Sequence, residues 1–364
     1  MSKLTCGIVG LPNVGKSSLF NALTKAGAAS SNYPFCTIDP NIGVVDVADP
    51  RLGVLSDLSN SKQIIHASMQ FVDIAGLVKG ASQGEGLGNQ FLAHIQETDA
   101  ILHVVRCFEN DEVIHVGGKI DPIEDIETVQ LELILSDLQT AQNTHGKLQK
   151  QAKGRKELLP TVAALEKVIS HLDQDLSLRT LSFTDEEDEF LHPYPFLTQK
   201  KVLYAANVSE EDLPEMDNPY IKQVEEFAKK EGTFCVPFCA KLEAEIADLE
   251  PGEQQEFLES VGLEETGLNR LIHASFEILG LISFLTTGEK ETRAWTIPKG
   301  VTAAEAAGKI HTDIQKGFIR AEVVAFEDMV HYKGRNGVRE AGKLRAEGRD
   351  YIVQDGDVIL FLHN

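Results

Sequence analysis

The sequence predicts an α/β fold in which a strand, a glycine-rich loop and a helix follow one another close to the N-terminus. The strand is indicated by the apolar run at residues 4–9, and the helix by the spacing of Leu19, Phe20 and Leu23. Between them, residues 10–17 read Gly-Leu-Pro-Asn-Val-Gly-Lys-Ser, which matches the pattern G-x-x-x-x-G-K-[ST]. Strand, loop and helix in this order are the context in which that pattern binds phosphate groups.

The residue types of this loop suit a triphosphate. Gly10 and Gly15 let the backbone curl until its N–H groups point at phosphate oxygens, and the helix behind adds its positive N-terminal end. Lys16 is expected to reach the β- and γ-phosphates and to act in catalysis, and the Ser17 hydroxyl is expected to ligate Mg²⁺. The predicted nucleotide-binding residues of the loop are Asn13, Val14, Gly15, Lys16, Ser17 and Ser18.

Composition limits the class of protein. The chain has 364 residues, 42% of them apolar, and a chain of this length is expected to form two or three domains. It has no apolar run of about 18 residues, no signal-peptide pattern, and an odd number of cysteines, five, without zinc-finger spacing. We therefore expect a cytoplasmic protein with reduced thiols and no membrane partner. The formal net charge of −22 argues against indiscriminate nucleic-acid binding but leaves room for a local basic patch.

Two further segments predict loops that sense the γ-phosphate. Thr37 lies in a proline-containing loop at residues 32–41, where a threonine can complete the Mg²⁺ shell; a loop threonine without this role remains the alternative. Residues 69–76 read as a strand that ends in Asp-x-x-Gly. Asp73 is expected to hold Mg²⁺, directly or through a water, and the Gly76 N–H to bond the γ-phosphate; a plain turn at the strand end is the alternative.

A helical hairpin is predicted in the middle of the chain. Apolar residues fall on one face from Ile126 to Leu138, the helix is expected to continue to about residue 156, and a second helix is expected at about 159–172. The predicted tip, residues 143–156, carries five basic side chains and no acid: Lys147, Lys150, Lys153, Arg155 and Lys156. A contact for a polyanion and a solvated helix end are both open interpretations.

The base-reading segments of a nucleotide site are expected after two later strands. A strand at 200–206 leads into Asn207-Val208-Ser209-Glu210, where Ras-like GTPases carry Asn-Lys-x-Asp. The longer Glu210 should read guanine poorly, so adenine becomes admissible. A strand at 234–238 leads into Cys239-Ala240-Lys241, which resembles the Ser-Ala-Lys loop of GTPases or is an ordinary strand–helix turn. The predicted nucleotide-binding residues here are Asn207, Val208, Glu210, Cys239, Ala240 and Lys241.

The last third predicts a small module of strands around one helix, as in a β-grasp. Strands are expected at 294–298, 321–326 and 358–362, and a helix at about 302–310. Residues 281–364 contain 12 Lys and Arg against 12 Asp and Glu, so this module is neutral beside an acidic body. Its basic residues cluster, which predicts either an RNA or ribosome contact or a solvated face: Lys333, Arg335, Arg339, Lys343, Arg345 and Arg349.

Several of these motifs together resemble the YchF/Obg-like ATPase family. They are the phosphate loop, Asn-Tyr-Pro-Phe-Cys-Thr-Ile-Asp-Pro-Asn, Asp-Ile-Ala-Gly-Leu-Val-Lys-Gly-Ala, Gly-Glu-Gly-Leu-Gly-Asn and Asn-Val-Ser-Glu. The resemblance covers nearly the whole chain. It implies a Ras-like P-loop nucleotide-binding domain, an inserted helical coiled-coil arm and a C-terminal TGS domain of β-grasp type. The expected limits are 1–137 and 191–280 for the two parts of the nucleotide-binding domain, 138–190 for the arm and 281–364 for the TGS domain.

The resemblance also implies a function. Family members prefer or accept ATP, bacterial members are similar to ribosome-binding ATPases, and a role in translation or stress response is associated with them. The expected partners are therefore ATP and the ribosome, with ribosomal RNA or tRNA as further candidates. Leu77 stands where Ras-type enzymes place a water-orienting Gln, and His115 matches the family's histidine that is thought to act on the water instead. A histidine that only packs on a neighbouring strand is the alternative for His115.

Three interpretations of the whole chain stay open at this point. The first is a Mg²⁺-dependent ATPase, favoured by the set Lys16, Ser17, Thr37 and Asp73. The second is a ribosome- or RNA-binding module whose nucleotide pocket only senses ATP, and the third is a GTPase. Asn13 adds a question about cofactors, because a P-loop Asn beside a switch without Gln resembles enzymes that use K⁺, although it also suits the turn alone.

Overall fold

The computed structural model describes residues 4–29, 41–74, 87–110 and 119–364. Thr37, Gly76, Leu77 and His115 lie outside these ranges. The chain divides into two units, one of Met1–Gly43 with Gln70–Ser275 and one of Val44–Met69 with Phe276–Asn364.

The strands come in chain order, and most coincide with the apolar runs of the sequence. They are β1 (Thr5–Val9), β2 (Ile42–Val47), β3 (Ile64–Ile65), β4 (Ala67–Asp73), β5 (Ala100–Arg106), β6 (Lys201–Asn207), β7 (Cys235–Phe238), β8 (Leu281–Thr287), β9 (Thr292–Pro298), β10 (Phe318–Val324), β11 (Arg345–Glu347) and β12 (Val358–His363).

The helices lie between these strands. They are α1 (Lys16–Ala29), α2 (Pro50–Ser59), α3 (Leu87–Gln96), α4 (Pro122–Ala152), α5 (Leu159–Leu172), α6 (Asp185–Leu191), α7 (Pro219–Lys230), α8 (Ala240–Ile246), α9 (Pro251–Ser260), α10 (Gly267–Ile278), α11 (Ala303–Ile310), α12 (Thr312–Lys316), α13 (Phe326–His331) and α14 (Arg335–Glu340). Among the described residues, no helix has the length and apolarity that crossing a bilayer requires.

A six-stranded sheet has the order β2-β4-β1-β5-β6-β7, and its strands β1, β5, β6 and β7 lie wholly in the first unit. The pairs from β4 through β1, β5 and β6 to β7 are parallel. All seven residues of β5 are buried, as expected of a parallel strand covered on both faces. Because these strands are parallel, the carboxyl ends of β1, β4, β5, β6 and β7 lie at the same edge of the sheet. The α/β class predicted from the sequence is confirmed.

The predicted helical hairpin is present. α4 is 31 residues long, begins at a capping Asp121 whose carboxylate accepts from the Glu124 N–H at 3.2 Å, and has Pro122 at its first position. α4 and α5 share a buried cluster with residues 178–196. α4 ends at Ala152, a turn earlier than expected, because Gly154 is a poor helix former. The five basic side chains of the tip are all exposed.

The second unit contains another six-stranded sheet, in the order β11-β10-β12-β8-β9-β3. The three expected strands correspond to β9, β10 and β12 and the expected helix to α11; β8 adds a strand antiparallel to β9. Its core is formed by apolar side chains from α11 and the inner sheet face, among them Phe284, Ala307 and Val323.

Residues 44–69 group with this second unit, while the domain limits predicted from the sequence stay a prediction. The cause is a long-range pairing: β3 lies parallel to β9, with Ile64 opposite Thr292. The Ser61 Oγ also donates to the Gly288 carbonyl at 2.7 Å. This pairing joins residues more than 200 positions apart in the sequence, so no local sequence pattern predicts it.

Candidate nucleotide-binding site

The loop between β1 and α1 requires glycine at two positions. Gly10 has φ +151° and Gly15 has φ +103°, both in the region that disfavours other residues. A Cβ on Gly10 would lie 2.5 Å from the Val104 carbonyl oxygen, and one on Gly15 would lie 2.4 Å from Asn207 Nδ2. Asn13, at φ +63°, adopts the left-handed conformation that asparagine tolerates. The loop therefore curls tightly against β5 and β6.

Lys16 and Asp73 form the charged part of this loop region. Lys16 is only 8% exposed, and its Nζ donates to the Leu11 carbonyl at 2.6 Å. Burial lowers the pKa of Lys16 to about 8, while the charge of Asp73 acts in the opposite direction. Burial likewise raises the pKa of Asp73, and Lys16 opposes that rise. Ser17 follows on the first turn of α1 and is exposed. Lys16 and Asp73 therefore interact electrostatically at the edge where β1 and β4 end, and Ser17 is the residue after Lys16 in α1.

Asn207 holds two loops together. Its Nδ2 donates to the Val14 carbonyl at 2.9 Å, and its Oδ1 accepts from the Ala240 N–H at 3.0 Å. It is 4% exposed, so neither bond competes freely with water. The phosphate loop and the loop after β7 are consequently locked to the end of β6.

Glu210 and Lys241 form an ion pair at the mouth of the site. The hydrogen bond from Lys241 engages the Glu210 carboxylate and raises the pKa of Lys241. Val208 is buried, and its N–H donates to the Phe238 carbonyl at 2.9 Å. Cys239, also buried, precedes the first turn of α8. Of these groups, the Glu210 carboxylate and the Lys241 ammonium are the ones exposed to a ligand.

A cavity of about 850 Å³ lies among these loops. That volume falls within the range of about 300–1,000 Å³ typical of small-molecule sites. The structure brings to its walls eleven residues that the sequence analysis selected: Asn13, Gly15, Lys16, Ser17, Ser18, Asn207, Val208, Glu210, Cys239, Ala240 and Lys241. Val14 contributes its carbonyl to Asn207 instead. Thr37, Gly76 and His115 lie outside the described residues, so their predicted roles stay predictions.

Six of the residues that line the cavity were not predicted from the sequence. The unpredicted lining residues are Phe108, Glu109, Asn110, Ser209, Glu211 and Ala244. Phe108, Glu109 and Asn110 begin two residues after the end of β5, the strand next to β1. The rule that ligands bind beyond the carboxyl ends of parallel strands could have found them, because β5 stands out in the sequence as an apolar run.

The residues present fit a Mg²⁺-bound triphosphate. Mg²⁺ takes oxygen ligands, which the Ser17 hydroxyl and the Asp73 carboxylate can supply. The glycine cradle leaves backbone N–H groups free of side-chain obstruction, and Lys16 brings a positive charge to a phosphate. Fold and site together define a P-loop nucleotide-binding protein.

Comparison with known proteins gives the same class and a particular family. A family model described as "50S ribosome-binding GTPase" matches residues 5–144, and the YchF-GTPase C-terminal model, "Protein of unknown function (DUF933)", matches residues 281–364. The ribosome-binding ATPase YchF of Escherichia coli O157:H7 is 56% identical over 360 residues, and that of Bacillus subtilis (strain 168) is 51% identical over 363 residues. Each alignment covers 99% of this chain and 99% of the relative.

A solved structure supports the same assignment. The Schizosaccharomyces pombe YchF GTPase has a TM-score of 0.90 and 35% identity, with 100% of this chain and 98% of that chain covered. The chain belongs to the YchF family. The relatives' names disagree on the nucleotide, since some name an ATPase and one a GTPase.

Proposed function

We propose that this protein is a Mg²⁺-dependent P-loop nucleoside triphosphatase that prefers ATP to GTP and binds the ribosome. The observation that carries the nucleotide preference is the Glu210–Lys241 ion pair. Guanine would need a free carboxylate to accept from its N1–H and 2-amino groups. Here the carboxylate already accepts from Lys241, so guanine would have to displace an ammonium, whereas adenine makes no such demand.

Hydrolysis is assigned to the loop and the edge residues described above. Lys16 would neutralise the β- and γ-phosphates, and Ser17, Asp73 and Thr37 would hold Mg²⁺, which supplies positive charge to the phosphate oxygens when bound. The Gly76 N–H would bond the γ-phosphate. Leu77 cannot polarise water, so the proposal gives that role to His115. Asn13 lines the cavity, and a K⁺ ion beside it remains part of the proposal.

Ribosome binding rests on the names of the relatives and on two basic surfaces. The five cations of the arm tip, residues 143–156, are exposed, and no acid lies among them. The C-terminal cluster is partly neutralised: Arg335 lies 2.7 Å from Glu322, and Arg345 lies 3.2 Å from Asp357. The arm tip is therefore the stronger candidate for contact with phosphates of ribosomal RNA or tRNA.

The deciding experiment measures affinity for ATP and GTP side by side, together with turnover. Tighter ATP binding and Mg²⁺-dependent turnover support the proposal, whereas tighter GTP binding supports a GTPase. Lys16→Ala and Ser17→Ala should abolish turnover; Lys25→Ala, on the exposed side of α1, is the matched control. If added ribosomes change nucleotide occupancy but not turnover, the protein is a nucleotide-sensing binding module instead.

A further inference from the structure

One arginine beside the nucleotide cavity is completely buried. Arg106, the last residue of β5, is 1% exposed. In the sheet it pairs with Asn207, whose side chain bonds the phosphate loop. Burying a guanidinium is unfavourable unless its donors find partners and a counter-charge. Its contacts therefore indicate what the side chain is needed for.

The donors of Arg106 hold the cavity wall that the sequence did not predict. Nε donates to the Phe108 carbonyl at 3.1 Å, and one terminal nitrogen donates to the Asn110 carbonyl at 3.0 Å. The guanidinium carbon also lies 4.7 Å from the centre of the Phe108 ring. Residues 108–110 lie in no helix or strand, so these contacts from Arg106 help to fix their course along the cavity.

The same wall is supported from its outer side. The Asn218 Nδ2 donates to the Cys107 carbonyl at 2.8 Å, and the Tyr220 hydroxyl donates to Glu109 at 2.7 Å. These bonds reach the backbone and side chains from α7 and the turn before it. They hold Cys107 and Glu109, while Arg106 bonds the carbonyls of Phe108 and Asn110.

Arg106 also interacts with the first turn of α4, the helix that leads to the tip of the arm. Asp125, on the first turn of α4, is 5% exposed, and α4 packs against β5, the strand that ends at Arg106. The charge of Asp125 favours the protonated form of Arg106 against the lowering of the pKa that burial causes. α4 continues for 31 residues, roughly 45 Å at about 1.5 Å per residue, to the basic tip. A small shift at its first turn is therefore enlarged at the tip.

We propose that Arg106 is a positioning residue that fixes the 108–110 wall of the nucleotide cavity and ties it to the first turn of α4. Nucleotide occupancy and the orientation of the arm helix are coupled through this side chain. The coupling rests on the proposed function, because it requires that the cavity hold a nucleotide. The positioning of the 108–110 wall by Arg106 does not depend on a nucleotide.

The test compares Arg106→Lys with Arg179→Lys by hydrogen exchange and ATP titration of the full-length protein. Arg179 is a matched control: its side chain is 9% exposed, and it bonds Ser177 and Glu231 outside the cavity lining. Lysine keeps the charge but lacks the planar fork of donors and the flat face that lies against the Phe108 ring. In Arg106→Lys without nucleotide, segments 107–110 and 122–126 should exchange faster than in wild type, and the Kd for ATP should rise roughly tenfold, as expected for loss of a charged hydrogen bond. Arg179→Lys should change neither.

A second variant separates coupling from stability. Asp125→Asn leaves the Arg106 bonds to the wall in place, so ATP should bind with an affinity close to wild type but should no longer protect residues 122–130. Wild-type exchange and ATP affinity in Arg106→Lys would overturn the proposal, as would unchanged ATP-dependent protection in Asp125→Asn. If the wild-type protein binds no nucleotide, the proposed function and the coupling fail, while exchange in the nucleotide-free Arg106→Lys variant still decides whether Arg106 positions the wall.

Discussion

Gly15 and Asn207 approach each other so closely that a Cβ on Gly15 would lie 2.4 Å from the Asn207 Nδ2. The same Nδ2 donates to the Val14 carbonyl, so the amide can retreat only by giving up that bond. Glycine at position 15 is thus required twice, by its φ of +103° and by this contact. The fit of the phosphate loop depends on a residue 192 positions further along the chain, as their numbers show.

Gly15→Ala should therefore weaken ATP binding strongly. The strained backbone costs about 1–3 kcal/mol, and displacement of Asn207 adds the loss of its bonds, so we expect at least a roughly tenfold higher Kd. Gly53→Ala is the matched control, because Gly53 lies inside α2 with no atom within 4 Å of an added Cβ. It should leave Kd unchanged and stabilise the fold slightly. Equal ATP affinity of both variants in calorimetric titration would contradict the described loop geometry.

Nucleotide binding should take up a proton at alkaline pH. The pKa of Lys16 is lowered to about 8 by burial, and a bound triphosphate would raise it again. Above pH 8 the free site has largely lost this proton and must regain it on binding, so ATP affinity should fall as pH rises through 8, by up to about tenfold per pH unit. Calorimetry at pH 9 in buffers of different ionisation enthalpy measures the uptake directly. A binding enthalpy independent of the buffer would show that Lys16 is already charged in the free protein.

Freeing Glu210 should shift base selection toward guanine. Lys241→Ala removes the ammonium that engages the Glu210 carboxylate. The carboxylate can then accept from guanine, and a hydrogen bond to a charged group corresponds to a change of roughly tenfold in the ratio of GTP to ATP affinity. Lys25→Ala, which breaks an exposed ion pair with Asp248, controls for the lost charge. An unchanged ratio in Lys241→Ala would mean that the ion pair does not determine base choice.

The parts of the fold that could be predicted are those with a local sequence pattern. β5 is a largely apolar run of residues. The phosphate loop is a contiguous motif, and both of its glycines are needed for backbone conformations with positive φ. The helical hairpin follows from the spacing of apolar residues along α4. The strand, the loop and the hairpin helices each depend on residues close together in the sequence. The sequence alone could therefore predict them.

The unpredicted parts depend on residues far apart in the chain. Glu243 is fully buried and accepts from the backbone N–H groups of Gly267 at 2.7 Å and Leu268 at 3.3 Å, so it caps α10 from α8. β3 joins β9 across the chain, and Arg106 reads as an ordinary strand end until its two carbonyl partners are seen. Charged residues of this kind have no periodicity, and only the folded structure shows which ones are buried.

Asp137 should make the stability of the arm fall as pH rises from about 4 to about 6. This residue of α4 is 2% exposed and accepts from Leu197 N and Thr198 N, both at 2.8 Å, and from Thr198 Oγ1 at 2.7 Å. Burial raises its pKa from 3.8 to about 6, with these bonds opposing the rise.

A folded-state pKa above the unfolded one means that protonated Asp137 stabilises the fold. This contribution is complete below about pH 4 and is lost as pH rises through about 6, where its loss reaches about 3 kcal/mol in the free energy of unfolding. Asp137→Asn cannot ionise, so the stability of wild type relative to this variant should fall by about that amount between pH 4 and pH 7. Urea denaturation at intervals across this range measures the difference, and Asp173→Asn, an exposed carboxyl on the same hairpin, is the control. Parallel stability curves for wild type and Asp137→Asn would show that the three hydrogen bonds offset the cost of burying the charge completely.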